Sequence, residues 1–290
     1  PRGVNVPRRG GHDMDPVQVH LGGVPETLLW NLYQRATEAR QAHPVLRDPR
    51  AVELVESIDY PFAARFGPGE LGQWQALRAA TFDREVRRFL RAHPDGTVVA
   101  LGEGLETQFW RVDNGRVHWL TVDLPETVDV RTRLLGPATG RQSVAAVSAL
   151  DPAWMDQVDS SRGVLFTAQG LLMYLQPEEV HGLVAALAQR FPGAQMVLDG
   201  VPPWFSRRTR AGQMRTKQGY VTPPMPWALD APERRRLLAI PRVDEVRDLV
   251  PPRGRGLLHG WVAPVVNRSA RVHALGVTGL PVLRLRFAAA

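Results

Sequence analysis

From residue 97 to residue 199 the chain alternates between short apolar runs and segments with helical spacing. That alternation leaves few folds open. The runs cover 97–101, 117–122, 142–147, 163–168 and 194–199. Between them lie a short helix beginning near Leu105, a helix over 126–135 with Pro125 and Glu126 at its start, a helix over 152–158, and a helix over 177–190 opened by Pro177, Glu178 and Glu179. Short apolar runs bounded by turn residues read as strands buried on both faces. Strands alternating with helices form βαβ units, hence a parallel sheet with helices on both sides. Right-handed crossovers then place the strand C-terminal ends on one edge. In open α/β sheets that edge is where ligands bind. Gly102, Asp123, Ser148 and Gln169 all fall at such ends, and four independent strand ends constrain the site more than any one of them.

The stretch Thr97 to Thr107 sharpens this. The apolar run starts after the turn dipeptide Asp95-Gly96 and breaks at Gly102 and Gly104. A glycine turn lets backbone approach a ligand, because no Cβ stands in the way. About 20 residues further on, the next run ends in Asp123, the layout in which a carboxylate meets a ribose. Position 107 is Thr, so the third glycine of the dinucleotide fingerprint is absent. S-adenosyl-methionine, which has no pyrophosphate to cradle, fits the turn better than a nicotinamide nucleotide. A plain tight turn is the bland alternative.

The flanking segments are less regular. Residues 16–93 read as an N-terminal helical cap, including a helix with Leu28, Leu29, Leu32 and Ala36 at helical spacing and a long amphipathic helix over 69–92. Leu71, Trp74, Leu77, Phe82, Val86, Phe89 and Leu90 form the apolar stripe of the long helix, with Arg78 beside it. Tyr33 reads as packed, and Arg35 and Arg78 as surface arginines unless a ligand claims them. Residues 203–237 are rich in Pro, Arg and Met and read as an insert. Its Trp204, Phe205, Tyr220, Met225 and Trp227 would either plug the core or form a lid. A strand over 239–249, a helix starting at 255–259 and a half-buried strand over 281–287 follow, the strands suggesting a late hairpin. Residues 1–15 read as a disordered arm and 16–290 as one domain.

The chain has 290 residues, no cysteine and a net charge of +7. Without cysteine there is no disulfide framework and no thiolate nucleophile or ligand, which suits a cytoplasmic protein. No apolar run is long enough to span a membrane. The arginines alternate with acids, as in Asp83-Arg84-Glu85, and no aromatic-interleaved stripe suggests nucleic-acid binding. His181 reads as a surface residue.

Several stretches resemble one family: Val24-Pro25-Glu26-Thr27-Leu28-Leu29, Leu46 to Val52, Val98 to Thr107, Thr121 to Glu126, and Gln169-Gly170-Leu171-Leu172-Met173-Tyr174-Leu175. Together they resemble the leucine carboxyl methyltransferase superfamily, in its branch of O-methyltransferases from tetracenomycin-type polyketide biosynthesis. The resemblance implies a class I methyltransferase fold: a Rossmann-like, mostly parallel seven-stranded sheet with helices on both faces. It implies S-adenosyl-methionine as cofactor, with Arg78 on its carboxylate, Gly102 and Gly104 under its methionine part, and Asp123 and Leu124 at the ribose. Ser148 and Ala149 would lie beside the adenine, Gln169 near the amino end, and Arg35 would match a cation on the N-terminal helix. Tyr174 is the candidate to face a small-molecule acceptor, in a monomer or homodimer. Three positions depart from the family pattern: Gly102-Glu103-Gly104-Leu105-Glu106-Thr107-Gln108 replaces Gly-Cys-Gly-Leu-Asp-Thr-Arg, Gln169 replaces Glu, and Ser148 stands where an acid is frequent. A charge-assisted bond missing at Gln169 predicts cofactor binding weaker by about ten- to a hundred-fold. The resemblance implies an O-methyltransferase of antibiotic-type secondary metabolism. The departures leave open a methyltransferase-fold enzyme doing non-methylating chemistry, such as cyclisation or elimination.

Overall fold

A computed structural model describes residues 17–18, 26–257 and 281–290. The predicted arm, Val24-Pro25 and the last predicted helix beyond Leu257 lie outside the described residues. Seven strands form one sheet: β1 (Thr97–Leu101), β2 (His118–Asp123), β3 (Gln142–Ala146), β4 (Val164–Ala168), β5 (Gln195–Asp199), β6 (Val243–Leu249) and β7 (Val282–Phe287). Their order is β3-β2-β1-β4-β5-β7-β6. The first five are parallel, and β7 runs antiparallel to both β5 and β6. The order reverses between β1 and β4, which makes the C-terminal edge there a topological switch point.

The helices are α1 (Glu26–Ala39), α2 (Pro49–Ser57), α3 (Phe62–Phe66), α4 (Gly72–Ala92), α5 (Gln108–Val112), α6 (Pro125–Leu135), α7 (Pro177–Arg190), α8 (Pro203–Arg210) and α9 (Ala231–Ala239). Period-two alternation sorts the strand residues between two cores. Val99 and Leu101 join Leu120, Phe166 and Met196 under α7, Trp154 and α9. Val98 and Ala100 join Trp119, Leu165 and Val197 under Phe82, Val86 and Phe89 of α4 and Phe109 of α5. A third core ties α1, α2 and α3 to Leu105, Val130 of α6 and Tyr220. These N-terminal helices therefore stand over the glycine turn.

Several boundaries move. Leu71 precedes α4 as an exposed N-cap instead of belonging to its stripe. The predicted helix over 152–158 is a 3-10 turn, Pro152–Gln157, capped by Asp151. The strand expected from 239 begins at Val243, because α9 continues through Ala239. The last strand is buried, not half-buried, because both faces of the sheet are covered there: Leu283, Leu285 and Phe287 join one core and Val282 the other. Its Arg284 is covered as well, paired with Glu85 of α4 at 3.2 Å. β6 and β7 do pair antiparallel, but a long connection joins them rather than a hairpin turn.

Candidate active site

The turn after β1 is left-handed at both glycines, with φ of +59° at Gly102 and +54° at Gly104. A side chain there is costly. A Cβ on Gly104 would lie 2.5 Å from Leu28 Cδ2, and one on Gly102 would lie 2.8 Å from Leu171 Cδ1. The turn is bound to the next strand: Gly102 N donates to Val122 O at 2.8 Å. Gly104 N donates to Asp123 Oδ2 at 2.7 Å, and Leu124 N to Asp123 Oδ1 at 2.8 Å. Asp123 is only 8% exposed. Burial raises its carboxyl above the usual range, against the pull of the Gly104 and Leu124 amides.

Behind the turn lies a buried charge network. Glu106 pairs with Arg35 at 3.2 Å and with Arg111 at 2.7 Å. Burial alone would raise its carboxyl, but Arg35 and Arg111 outweigh that and hold it at about 2. Arg111 also reaches Asp83 at 2.9 Å and Asp48 at 2.8 Å. Asp48 caps α2, accepts the Thr107 hydroxyl at 2.7 Å and pairs with Arg35 at 3.3 Å. Gln108 donates to Asp83 at 3.0 Å. Arg35 is thus a buried strut between α1 and the turn, and also donates to Leu105 O at 2.8 Å. Glu103 turns inward to Arg131 at 3.0 Å and to the Thr121 hydroxyl at 2.5 Å. Its carboxyl is raised by burial despite Arg131.

Gln169, just past β4, donates its Nε2 to Glu106 Oε2 at 2.8 Å, and its Oε1 has no partner. The following Gly170 is left-handed, and its N donates to Asp199 Oδ1 at 2.7 Å. Asp199 ends β5 and is fully buried; burial raises its carboxyl, with Arg78 opposing. Arg78 donates to Asp199 at 3.0 Å and to Asn31 at 3.3 Å, while its Nε is buried without a partner. It is therefore no surface residue.

Arg78 and Gly170 also line a cavity of about 520 Å³. Its walls include Trp30, Phe66, Trp74, Met173, Phe205 and Met225. The segment 203–237 divides here. Its part up to Met225 borders this cavity, and Tyr220 OH lies 2.9 Å from Thr27 Oγ1. Trp227, Leu229 and Leu237 instead join the sheet core. Tyr174 lines the cavity, and burial pushes its hydroxyl above the usual phenol range. The hydroxyl therefore stays protonated at neutral pH.

The remaining sequence-selected residues lie further along the edge. Leu124 is 42% exposed and precedes α6. The Ser148 hydroxyl accepts Leu150 N at 3.2 Å, and Ala149 O accepts Trp154 Nε1 at 3.1 Å. His181 is partly exposed and pairs with Glu233 of α9 at 2.6 Å, away from the cavity. Sequence reasoning missed Asp199 and the Glu106–Arg111–Asp48–Asp83 cluster. Asp199 had a signal, an acid ending a strand as Asp123 does. The cluster had none, because its members come from four separate elements.

A Gly-x-Gly turn, an acid ending β2 and this strand order define a methyltransferase-type Rossmann-like fold. The chain aligns with the crystal structure of a candidate methyltransferase from Thermobifida fusca YX at a TM-score of 0.51 and 17% identity, over 92% of this chain and 99% of that one. The chain belongs to the leucine carboxyl methyltransferase family, which residues 29–188 match. It is 33% identical to the tetracenomycin polyketide synthesis O-methyltransferase TcmP of Streptomyces glaucescens, over 69% of this chain and 74% of that protein. It is 28% identical to the S-adenosyl-L-methionine-dependent methyltransferase dpfgK of Gibberella zeae, over 62% of this chain and 66% of that protein.

Proposed function

We propose that the protein is an S-adenosyl-methionine-dependent O-methyltransferase acting on a carboxylate or phenolic hydroxyl of a small-molecule natural product. One observation carries the reading. At the switch point two buried polar atoms lack a partner, the acceptor Gln169 Oε1 and the donor Arg78 Nε. The two are linked through Gly170, whose added Cβ would lie 3.2 Å from Arg78 Nη1. An acceptor and a cation on either side of Gly170 suit the ammonium and carboxylate of an α-amino acid, which is the tail of S-adenosyl-methionine. The exposed Leu124 and Leu150, 42% and 38% accessible, follow the adjacent ends of β2 and β3. They offer apolar surface to a purine.

In this reading Arg78 holds the carboxylate and Gln169 the ammonium. Gly102 and Gly104 give the close backbone approach, and Asp123 and Leu124 meet the ribose. Ser148 and Ala149 border the adenine. Arg35 acts indirectly, by fixing Glu106 and hence Gln169. When bound, the sulfonium supplies the activated methyl group. The chain must then hold an acceptor oxygen in line and keep water out. The cavity beside Arg78 does both, with the 203–225 segment as its lid and Tyr174 donating to the acceptor. A carboxylate acceptor needs no base, and a phenol would ionise through its own acidity.

Calorimetry with S-adenosyl-methionine and S-adenosyl-homocysteine tests the reading, followed by mass spectrometry of phenolic and carboxylic acceptors. Micromolar binding and a methylated product are expected. No binding of either compound at millimolar concentration would overturn it. Gln169 and Glu103 motivate a second reading, a fold that retains the cofactor but does not methylate. Tight binding with no methylated product from a broad acceptor panel would favour that one.

A further inference from the structure

Between Asp199 and Asp230 the chain carries five cations, Arg207, Arg208, Arg210, Arg215 and Lys217, and no acid. The whole chain has 36 cations against 29 acids, so this one stretch holds most of the net charge and the rest is close to neutral. All five side chains are exposed. Lys217 has one acid near it, Glu70 at 3.8 Å, and both are so exposed that water screens the pair. Arg207, Arg208 and Arg210 have no ion pair and no side-chain hydrogen bond among the described residues.

Local structure turns these charges to one side. The inner face of α8 is anchored: the Ser206 hydroxyl donates to Met225 O at 2.6 Å, and the Thr209 hydroxyl accepts from Met225 N at 3.2 Å. Trp204, Arg207 and Arg208 lie one turn apart on the outer face, with Arg210 one turn beyond Arg207. A short hairpin carries Arg215 and Lys217: Thr222 N donates to Met214 O and Thr216 N to Tyr220 O, each at 2.9 Å. Leu71, Trp204, Arg215 and Lys217 all line the cavity and are exposed, so they stand at its mouth. Leu71 is 47% exposed and Trp204 39%, and Val221, bridged to Arg215 across the hairpin, is 46% exposed. The mouth therefore combines uncompensated cations with bare apolar side chains.

A partner for this face must be anionic and must also receive apolar side chains. A bilayer with anionic headgroups meets both needs. Guanidinium groups take phosphate oxygens in pairs, tryptophan favours the headgroup level, and a polybasic patch is drawn to an anionic leaflet. The cations stand on long side chains without fixed partners, which suits a fluid surface better than carboxylates at set spacing. No described helix is long and apolar enough to cross a membrane, so the contact is peripheral. We infer that the 203–225 face docks on an anionic membrane surface, with the cavity mouth turned toward the lipid. The inference goes beyond the methyltransferase reading and does not require it.

Vesicle flotation of the full chain, without cofactor or acceptor, tests it. Wild type should float with vesicles in which about a third of the lipid is phosphatidylglycerol and stay behind with pure phosphatidylcholine. It should be released at about 1 M salt, where charges are screened within roughly 3 Å. The triple variant Arg207→Gln/Arg208→Gln/Arg210→Gln should bind about a hundred-fold more weakly, at an unchanged thermal midpoint because all three sites are exposed. Leu71→Ser/Val221→Ser should bind about tenfold more weakly, and serine is favourable at the N-cap that Leu71 occupies. No flotation with phosphatidylglycerol at low salt, or a triple variant that floats like wild type, would overturn the inference. So would binding to poly-glutamate or to duplex DNA as tight as to vesicles, with Leu71→Ser/Val221→Ser without effect. The face would then read charge alone, and its partner would be an acidic macromolecule.

Discussion

Glu106 and Glu103 sit three residues apart, and burial raises both carboxyls, yet their net shifts run in opposite directions. Glu106 is held at about 2 in the fold, below its ordinary 4.5. A depressed folded value means that its contribution to stability is complete above the ordinary value and is lost as pH falls toward the folded one. Stability should therefore decline between pH 4.5 and about 2, and Glu106→Gln should flatten that decline. The same substitution should cost about 3 kcal/mol at neutral pH, because Arg35 and Arg111 lose a buried partner. Denaturant midpoints at several pH values check both. Glu103 is raised by burial, so its ionised form opposes folding. Its folded value lies above 4.5, and stability is lost as pH rises through that interval. Glu103→Gln should raise the denaturant midpoint at neutral pH, with the gain vanishing below pH 4.5. A gain or loss independent of pH would show that the hydrogen bonds to Thr121 and Trp119 matter more than the charge.

Among the elements, the tie between α1 and the 203–225 segment is open to a direct test. Tyr220 packs edge-on to Phe66 and lies 2.9 Å from the Thr27 hydroxyl. Tyr220→Phe keeps the packing and removes that bond, so the expected loss is about 1 kcal/mol of stability. If the 203–225 segment closes over the acceptor, KM should rise several-fold while S-adenosyl-homocysteine binding stays unchanged. Titration calorimetry and steady-state kinetics separate the two. The same elements show what a sequence reveals. Strands β1 to β5 and helices α6 and α7 were legible because apolar runs and Pro-Glu starts are local signals. The 203–237 segment was not, because Trp227 and Met225 carry the same local character yet lie in different places, one in the sheet core and one at the cavity. The strand β7 alternates like a half-exposed strand, but Arg284 on its polar face is covered through Glu85 and Glu245, partners distant in sequence. Arg35 and Arg78 show the same limit, since distant acids in the chain decide whether an arginine is buried.

At the scale of the molecule, the edge proposed for the cofactor and the cavity proposed for the acceptor are separate regions that meet at Gly170 and Arg78. Asp123, Leu124 and the Gly102 turn do not line the cavity, whereas Arg78 and Gly170 do. The strand ends converge on one edge as the sequence predicts, because topology alone determines that. The sequence could not place the cavity, which is built from α1, α4 and the insert, elements brought together only by packing. Two substitutions should therefore behave differently. Asp123→Ala should weaken S-adenosyl-homocysteine binding by about tenfold or more, since a carboxylate to ribose hydroxyl bond is charge-assisted, and should leave binding of emodin, a phenolic probe of the cavity, at its wild-type value. Arg78→Met should weaken both ligands, because it removes the cation proposed for the cofactor carboxylate and leaves Asp199 buried without its ion-pair partner. If Asp123→Ala weakens emodin as much as S-adenosyl-homocysteine, the two regions are one site, and the acceptor lies over the glycine turn instead of between α1 and α4. If Arg78→Met affects neither, the Arg78–Asp199 pair is a structural brace, and the amino-acid tail must be held by other groups along the edge.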